Sequence, residues 1–231
     1  MSDRHADDKV VVSWSGGKDC AMVLRELLRN GTGVSALLTT ITEEYDRSSM
    51  HGVRRVLVET QADALGIPLE IVTITPDADS AQYEARMRRA LEKQQARGIN
   101  TVAIGDIFLE DLRKYREGRL AEIGMKAVFP IWGRDTRELA HAFIDLGFRA
   151  VITCVDTQVL DGSFAGREYD RGFLADLPAS VDPCGENGEF HSFVWDGPIF
   201  TCPVAFTRGE SVLRDGRFQF RDLLPRAKED G

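Results

Sequence analysis

The sequence predicts an α/β protein, in which a parallel sheet carries helices on both faces and a smaller α+β domain follows. Over the first two-thirds of the chain, short apolar and β-branched runs alternate with amphipathic stretches, which is the pattern of βαβ units. After Pro130 this alternation gives way to a stretch rich in glycine and aspartate, and then to short strands and turns. Such a change in pattern predicts a second, smaller domain.

The elements of the first domain are predicted to alternate as strand and helix. Glycine follows three of the predicted helices, at Gly31, Gly66 and Gly98, and ends each one. The predicted strands are 9–14, 34–41, 69–74, 101–104 and 126–129, and the predicted helices are 19–30, 53–65, 81–97 and a stretch that ends at 123. We therefore place the first domain at 1–131.

The second domain is placed at 132–231 and has weaker signals. Asp215-Gly216 between two apolar runs is typical of a tight hairpin. The predicted elements are a helix over 134–147, a strand over 150–155 and short antiparallel strands within 193–223, with a further turn at Asp196-Gly197.

Composition and charge restrict the function. The formal net charge is −8, and stable nucleic-acid binding relies on a basic surface, so no stable nucleic-acid partner is expected. No apolar run reaches the roughly 20 residues that cross a bilayer, and the polar start Met1 to Lys9 is unlike a signal peptide. The four cysteines form no C-x-x-C pair, which favours a reducing compartment. These features predict a cytoplasmic protein without a membrane partner.

The turn between the first strand and the first helix carries the main functional signal. Gly16 and Gly17 let the backbone approach a bulky anion, and the amides at a helix start favour negative charge. The Ser15 hydroxyl adds a donor and Lys18 adds a positive charge. The turn is therefore predicted to hold a chain of phosphates. The alternative is a glycine-rich turn that caps a helix without binding a ligand.

The residues around this turn identify the type of phosphate site. A Walker loop is excluded, because Val12 stands where its first glycine is required and Asp19 where Ser or Thr is required. A dinucleotide-binding fingerprint is also missing. The run from Ser15 to Cys20 resembles the S-G-G-K-D-S signature of the PP-loop ATP pyrophosphatases, with Cys20 in the last place. The resemblance implies a Rossmann-like PP-loop sheet and cleavage of ATP between its α- and β-phosphates.

The resemblance also implies which residues contact ATP. Thr39 and Thr40 end the second strand and are placed against the adenosine. The expected ATP-binding residues are Ser13, Ser15, Gly16, Gly17, Lys18, Asp19, Cys20, Thr39, Thr40 and Gly105. Cys20 keeps two interpretations, a buried structural thiol or a reactive thiol whose pKa is lowered at a helix start.

Further motifs narrow the family. They are Gly105-Asp106-Ile107, P-I-W-G-R-D at 130–135, L-D-G with F-A-G-R at 160–167, and C-G-E-N-G-E-F-H at 184–191. Their order resembles the diphthine–ammonia ligase family, from Val10 to about Pro203. The resemblance implies an ATP-dependent ligase that adenylates a carboxylate and transfers ammonia to it, releasing AMP and pyrophosphate. The first domain would then bind ATP and the second the substrate.

Acidic residues are expected to carry two further roles. Asp19 and Asp106 would hold Mg²⁺ against the phosphates if their strands are neighbours, and the alternative for Asp106 is a turn or cap residue. Glu186 and Glu189 would bind ammonium or take a proton from it, and the alternative is a solvated acidic turn. The expected catalytic residues are Lys18, Asp19, Glu186 and Glu189.

The expected acceptor is a carboxylate, either a small molecule or a group on a protein, and the expected nitrogen donor is free ammonia. The expected substrate-binding residues are His51, Tyr115, Arg119, Gly185, Glu186, Glu189 and His191. For His51, a role in substrate binding and the absence of any functional role remain equally open. No role is predicted for His5 or His141.

Two departures from the family affect the acceptor. The eukaryotic and archaeal branch reads Y-Q-R-x-R-[IV]-E where this chain has Tyr115 to Ala121. Tyr115 and Arg119 fit, but Glu117 replaces an arginine and Ala121 replaces the final acid. The D-P-C-G-E-N-G-E-F-H form looks like the bacterial branch, and bacteria make no diphthamide. An acceptor other than diphthine is therefore a hypothesis.

Two other functions stay open from the sequence. A tRNA-modifying PP-loop enzyme is disfavoured by the acidic charge and by the missing C-x-x-C. A non-catalytic ATP-binding protein is disfavoured by the acidic, glycine-rich segment around Glu186. A homodimer is the expected oligomeric state.

Overall fold

The computed structural model describes residues 9–75 and 77–226, which form two compact units. Of the described residues, the first unit holds 9–15, 19–46, 67–75 and 77–133, and the second holds 16–18, 47–66 and 134–226. The predicted leader, with His5, lies almost entirely outside the described residues. The division of the chain at residue 131 stays a prediction.

Ten strands and six α-helices make up the described ranges. The strands are β1 (Val10–Ser13), β2 (Val34–Thr42), β3 (Arg47–Ser48), β4 (Leu69–Ile74), β5 (Thr101–Ala103), β6 (Lys126–Val128), β7 (Arg149–Asp156), β8 (Phe190–Asp196), β9 (Phe206–Arg214) and β10 (Phe218–Pro225). The helices are α1 (Lys18–Arg29), α2 (Arg55–Leu65), α3 (Ser80–Gln95), α4 (Glu110–Ala121), α5 (Thr136–Asp145) and α6 (Arg171–Asp176). None of these helices combines the length and the apolar character that a membrane span requires.

The first unit contains a parallel sheet in which the strands pair in the order β4-β2-β1-β5-β6. Apolar side chains such as Val11 on the sheet pack against Leu91 of α3 and Leu120 of α4. From β1 the chain first adds β2 on one side and later β5 on the other, so the strand order reverses beside β1. Ligands of open α/β sheets bind at such a switch point, beyond the carboxyl ends of the strands. Within the first unit, Ser15 after β1 and Gly105 after β5 both follow strands at this switch point.

The second unit contains an antiparallel sheet with the order β8-β7-β10-β9. Asp215 and Gly216 join β9 to β10 with φ values of 52° and 62°, which are those of the predicted tight hairpin turn. Gly197 ends β8 where predicted, but β8 pairs with β7 instead of forming a hairpin with β9. The predicted fold class, a parallel α/β sheet flanked by helices and a separate second sheet, is confirmed.

One short helix, α6, was not predicted from the sequence; it begins at the end of the glycine- and aspartate-rich stretch 156–172. The Asp170 carboxylate accepts a hydrogen bond from the Phe173 N–H at 2.7 Å and begins α6. Phe173 is fully buried. A helix of six residues is too short to show a helical period in the sequence.

Two arginines hold Asp222 of β10 within the second unit. Arg47 Nη1 lies 2.7 Å from Asp222 Oδ1, and Arg54 Nη2 lies 2.7 Å from Oδ2. Burial opposes ionisation of Asp222, but the hydrogen bonds from Arg54 and Arg47 outweigh it and lower the pKa to about 2. Arg47 also donates to the Gly52 carbonyl at 2.9 Å. The ion pairs therefore fix the turn that carries His51.

We expect Asp222→Asn to lower the free energy of unfolding by about 2 kcal/mol near neutral pH. The folded pKa lies below the ordinary value of 3.8, so this stabilisation is present above that value and is lost as pH falls through about 2. Urea unfolding across this acid range measures it. Asp215→Asn, at an exposed hairpin turn, is the matched control and should change stability by less than about 0.5 kcal/mol. An acid profile unchanged in Asp222→Asn contradicts this account.

Candidate active site

The loop after β1 contains a glycine that the backbone geometry requires. Gly16 has φ +80°, a conformation that residues with a side chain rarely adopt. A Cβ at this position would lie 2.9 Å from Gln61 Oε1. Gly16 therefore combines an unusual backbone conformation with a close approach to helix α2.

Two donors hold the carbonyl of Gly16 in place. The Val194 N–H of β8 donates to it at 2.9 Å, and the Gln61 amide donates at 3.0 Å. The same amide nitrogen also donates to the Val194 carbonyl at 2.6 Å. Gln61 has 0% relative exposure, so no water competes for these bonds. The loop conformation is thus set by a buried side chain and by a strand that lies far away in sequence.

Gln61 was missed as a functional residue. The sequence did contain a signal for the role of Gln61, because this glutamine lies on the buried face of α2 among Leu57, Val58 and Ala62. A polar residue within an apolar stripe needs a partner inside the protein. The pattern alone does not identify that partner as the carbonyl of Gly16.

Lys18 lies in the second unit with its side chain buried. Its relative exposure is 4%, and its ammonium lies 5.5 Å from the ring centre of Phe190 and 6.0 Å from that of Tyr169. Its backbone N–H donates to the Ser192 hydroxyl at 3.2 Å. Aromatic faces stabilise a cation without neutralising it. A charge held in this way can attract an anion strongly, since few water molecules screen it.

His51 and His191, both predicted to bind substrate, lie together in the second unit. Their ring centres are 4.7 Å apart, and His51 Nδ1 lies 2.9 Å from the Ser192 carbonyl, to which it must donate. Within the described residues, His191 Nε2 is buried without a hydrogen-bond partner. The structure therefore brings the two histidines together with Ser192, which the sequence analysis missed.

Both histidines are held neutral. Burial lowers the pKa of His51 to about 4, with the Ser192 hydrogen bond opposing the shift and the Lys18 charge adding to it. The pKa of His191 falls well below its ordinary value through burial, the His51 ring and the Lys18 charge. Lys18 is therefore the group in this cluster that supplies positive charge at neutral pH, and the imidazoles are available as neutral hydrogen-bonding groups.

The two predicted metal ligands, Asp19 and Asp106, lie in the first unit. β5 pairs with β1 in parallel, which confirms that the strands carrying them are neighbours. Burial raises the pKa of Asp106, Arg116 opposes the shift and the charge of Asp19 adds to it. Arg116 Nε lies 2.8 Å from Asp106 Oδ2, an ion pair that was not predicted. The repulsion between the two carboxylates favours a bound cation.

Gly105 and Cys20 show how closely the first unit packs around the start of α1. A Cβ on Gly105 would lie 3.3 Å from the backbone of Asp19 and of Cys20, so glycine is needed for packing as well as for any ligand. Cys20 is buried, with its Sγ 3.5 Å from the Ser15 hydroxyl. Burial favours the structural interpretation of this thiol.

Three other predicted ATP-binding residues lie on the neighbouring strands β1 and β2, and β2 continues past Thr39 and Thr40 to Thr42. Ser13 is the last residue of β1 and pairs with Leu38 of β2. Thr39 is buried and Thr40 is half-buried. Their contacts with ATP stay predictions.

Tyr115 and Arg119 lie on α4 and share a partner on α3. The Tyr115 hydroxyl donates to Glu84 at 3.0 Å, and Arg119 forms ion pairs with Glu84 at 2.8 Å and with Glu122 at 3.0 Å. They border a cavity of about 130 Å³ that reaches Ser13. Its floor is apolar and consists of Leu38, Leu91, Val102 and Ile104. The two residues are thus beside a cavity of the first unit, although the Tyr115 hydroxyl and the Arg119 guanidinium already have partners.

The turn that carries Glu186 and Glu189 is held by its own hydrogen bonds. Glu189 is buried, and its carboxylate accepts from the backbone N–H groups of Asp182 and Asn187 and from the Asn187 side chain, each at 3.0 Å. Gly185 has φ +65°, and a Cβ there would lie 2.8 Å from the Phe190 carbonyl. The structure therefore gives Glu189 a structural task, and its catalytic role stays a prediction. Glu186 lies on the same turn and is half-buried.

The chain matches two family models in sequence order. Residues 8–127 match the diphthamide synthase N-terminal domain, and residues 135–216 match the diphthamide synthase C-terminal domain. The chain belongs to the diphthamide synthase family. The resemblance found in the sequence motifs is therefore confirmed.

Several vertebrate relatives of this chain are named diphthine–ammonia ligase. The chain is 24% identical to the diphthine–ammonia ligase of Danio rerio, over 89% of each chain. It is 24% identical to that of Homo sapiens, over 89% of this chain and 85% of the human one. Among solved structures, a predicted subunit of a tRNA methyltransferase from Methanocaldococcus jannaschii shares 16% identity with a TM-score of 0.44, covering 81% of this chain and 96% of that one.

We expect Gln61→Leu to lower the free energy of unfolding of this diphthamide synthase family member by about 1–3 kcal/mol, because the Gly16 and Val194 carbonyls lose a buried donor. Urea unfolding measures it. Gln94→Leu is the matched control: Gln94 is as deeply buried, but among the described residues its Nε2 has no hydrogen-bond partner. Gln94→Leu should leave stability unchanged or increase it. Equal losses in the two variants contradict a specific role for Gln61.

We expect the imidazole of His51 to titrate near pH 4, as followed by nuclear magnetic resonance. The folded pKa lies below the ordinary value of 6.5, so the contribution to stability is present above that value and is lost as pH falls through about 4. Lys18→Met should raise the pKa of His51, because the Lys18 charge helps to lower it. Lys126→Met, at an exposed position, should leave it unchanged. An ordinary pKa for His51 in the unaltered protein would refute the burial of its ring.

Proposed function

We propose that this chain is an ATP-dependent carboxylate–ammonia ligase that forms AMP. An acceptor carboxylate oxygen attacks the α-phosphorus of ATP, pyrophosphate leaves, and ammonia then displaces AMP from the acyl-adenylate to give an amide. The observation that carries this proposal is the rigid loop around Gly16 and Lys18, found in a chain whose two halves match the two domains of one ligase family.

ATP is proposed to bind through the loop. Lys18 supplies a buried positive charge toward the β- and γ-phosphates, and the amides at the start of α1 supply donors. Ser15, Gly16 and Gly17 let the phosphates approach the backbone. Thr39, Thr40 and Gly105 are proposed to meet the adenosine side of the nucleotide.

Mg²⁺ is proposed to be held by Asp19 and Asp106, together with phosphate oxygens. The residues fit this ion, because magnesium in nucleotide sites commonly takes one or two carboxylates and completes its shell with phosphate and water. A bound divalent cation would lower the pKa of Asp106, which burial and the charge of Asp19 raise despite the opposing Arg116. Bound there, the ion would neutralise phosphate charge. Arg116 would keep Asp106 oriented.

Glu186 is proposed to act on the nitrogen donor. Ammonium must lose a proton before its nitrogen can attack the acyl-adenylate, and a half-buried carboxylate is a suitable acceptor. Glu189 keeps the turn in shape through its three hydrogen bonds. Glu189 would then affect the reaction indirectly, by keeping Glu186 in position.

The acceptor is proposed to be a carboxylate other than diphthine. The chain has Glu117 and Ala121 where the eukaryotic and archaeal branch has an arginine and an acid. Tyr115 and Arg119, which do fit, border the small cavity of the first unit. His51 and His191 are proposed to add neutral hydrogen-bonding groups to the acceptor.

The ligase activity is tested by mass spectrometry with ATP, Mg²⁺ and ¹⁵N-ammonium. Diphthine-bearing elongation factor 2 forms one arm and a panel of small carboxylic acids the other. We expect ¹⁵N-amide from a small acid. Lys18→Met should reduce product by more than about 100-fold, since it removes a transition-state charge contact, while Lys126→Met retains activity. Amidation of diphthine alone rejects the acceptor proposal, and no amide in either arm rejects the ligase.

A further inference from the structure

A second cavity lies within the second unit, and none of the residues proposed above for catalysis is among those that border it. It has a volume of about 340 Å³ and is bordered by α5, α6 and the segment 177–183. This size is at the lower end of the range for sites that bind small organic molecules. Its apolar wall consists of Leu174, Ala175, Leu177, Pro178, Ala179, Val181 and Pro183.

The ionisable groups that border this cavity are all basic. They are Arg137, His141 and Arg171, and no aspartate or glutamate is among the bordering residues. Arg137 and His141 are four positions apart on α5 and therefore share one helix face. In a chain of net charge −8, a cavity lined only by basic ionisable groups indicates an anionic ligand.

All three basic groups retain capacity for a ligand. Arg137 is exposed and forms no ion pair with any residue in the described ranges. Arg171 pairs with Asp145 through one nitrogen, Nη2, and a guanidinium has five donors in all. His141 is half-buried, and its Nδ1 is buried without a hydrogen-bond partner in the described part of the chain. Buried polar atoms without partners are uncommon in native proteins.

We propose that this cavity binds a small organic carboxylate with an apolar arm. The planar guanidinium of Arg137 matches a carboxylate in geometry, and the imidazole of His141 adds a further hydrogen-bonding group. The leucine, valine and proline side chains opposite would cover the apolar arm. The inference rests on the second unit alone and does not depend on the ligase reaction.

The cavity wall continues directly into the turn that carries Glu186. The Tyr169 hydroxyl donates to the Pro183 carbonyl at 2.7 Å, and the Asp182 carboxylate accepts from the N–H groups of Cys184 and Glu186 at 2.9 and 3.2 Å. A ligand that contacts Val181 and Pro183 would therefore rest on the same hydrogen-bonded segment. Its presence would stiffen that turn.

Binding is tested on the full chain without nucleotide, by calorimetry and by the imidazole resonance of His141. Hexanoate is the probe, because it joins a carboxylate to an apolar arm. We expect saturable binding of hexanoate, weaker binding of acetate, which lacks the arm, and no binding of hexylammonium, which reverses the charge. Binding of hexylammonium as tight as that of hexanoate overturns the proposal, as does the absence of a saturable shift at His141.

Variants locate the site. Arg137→Gln should weaken hexanoate binding about tenfold, the value of one charge-assisted hydrogen bond. Arg97→Gln removes the same charge from an exposed position of the first unit and should not change the affinity. Equal effects of the two variants would show a general charge effect and overturn the assignment. Failure of the ligase assay leaves this result untouched, because no ATP is present.

Discussion

The carbonyl oxygen of Gly16 is the constraint on which the account of the site depends. It accepts from Val194 of β8 and from Gln61 of α2, two residues far from the loop in sequence. A glycine-rich loop left to itself has many conformations, and ordering it costs conformational entropy. In this protein, folding itself orders the loop before any ligand binds. Preorganisation for phosphate binding requires a loop that is ordered in this way.

The electrostatics of the second unit follow from the same packing. Lys18 is buried beside Phe190 and Tyr169 in a poorly hydrated setting, where the attraction between its ammonium charge and an anion is screened little. The same burial keeps His51 and His191 neutral, so they neither repel Lys18 further nor compete for the anion. In the function proposed above, Lys18 would hold a phosphate chain beside these neutral imidazoles while a carboxylate acceptor stays free to react.

Local sequence patterns were sufficient to predict the parallel sheet and the glycine-rich loop. They were insufficient to predict the residues that hold the loop in place. Apolar runs and glycine stops predicted β1, β2, β4, β5 and β6 and the helices between them, because each signal lies within one element; the two-residue strand β3 was not predicted. The placement of Asp106 near Asp19 followed from the parallel order of neighbouring strands. Gln61, Ser192 and Arg116 were not predicted, because their roles depend on partners across the fold, and α6 was too short to show a period.

The central claim is that the loop binds ATP so that the bond between the α- and β-phosphates breaks. The most direct measurement is ³¹P nuclear magnetic resonance of the nucleotide products formed by the full chain from ATP, Mg²⁺, ammonium and an accepted carboxylic acid. The account predicts AMP and pyrophosphate in equal amounts. ADP and inorganic phosphate as the products would contradict it.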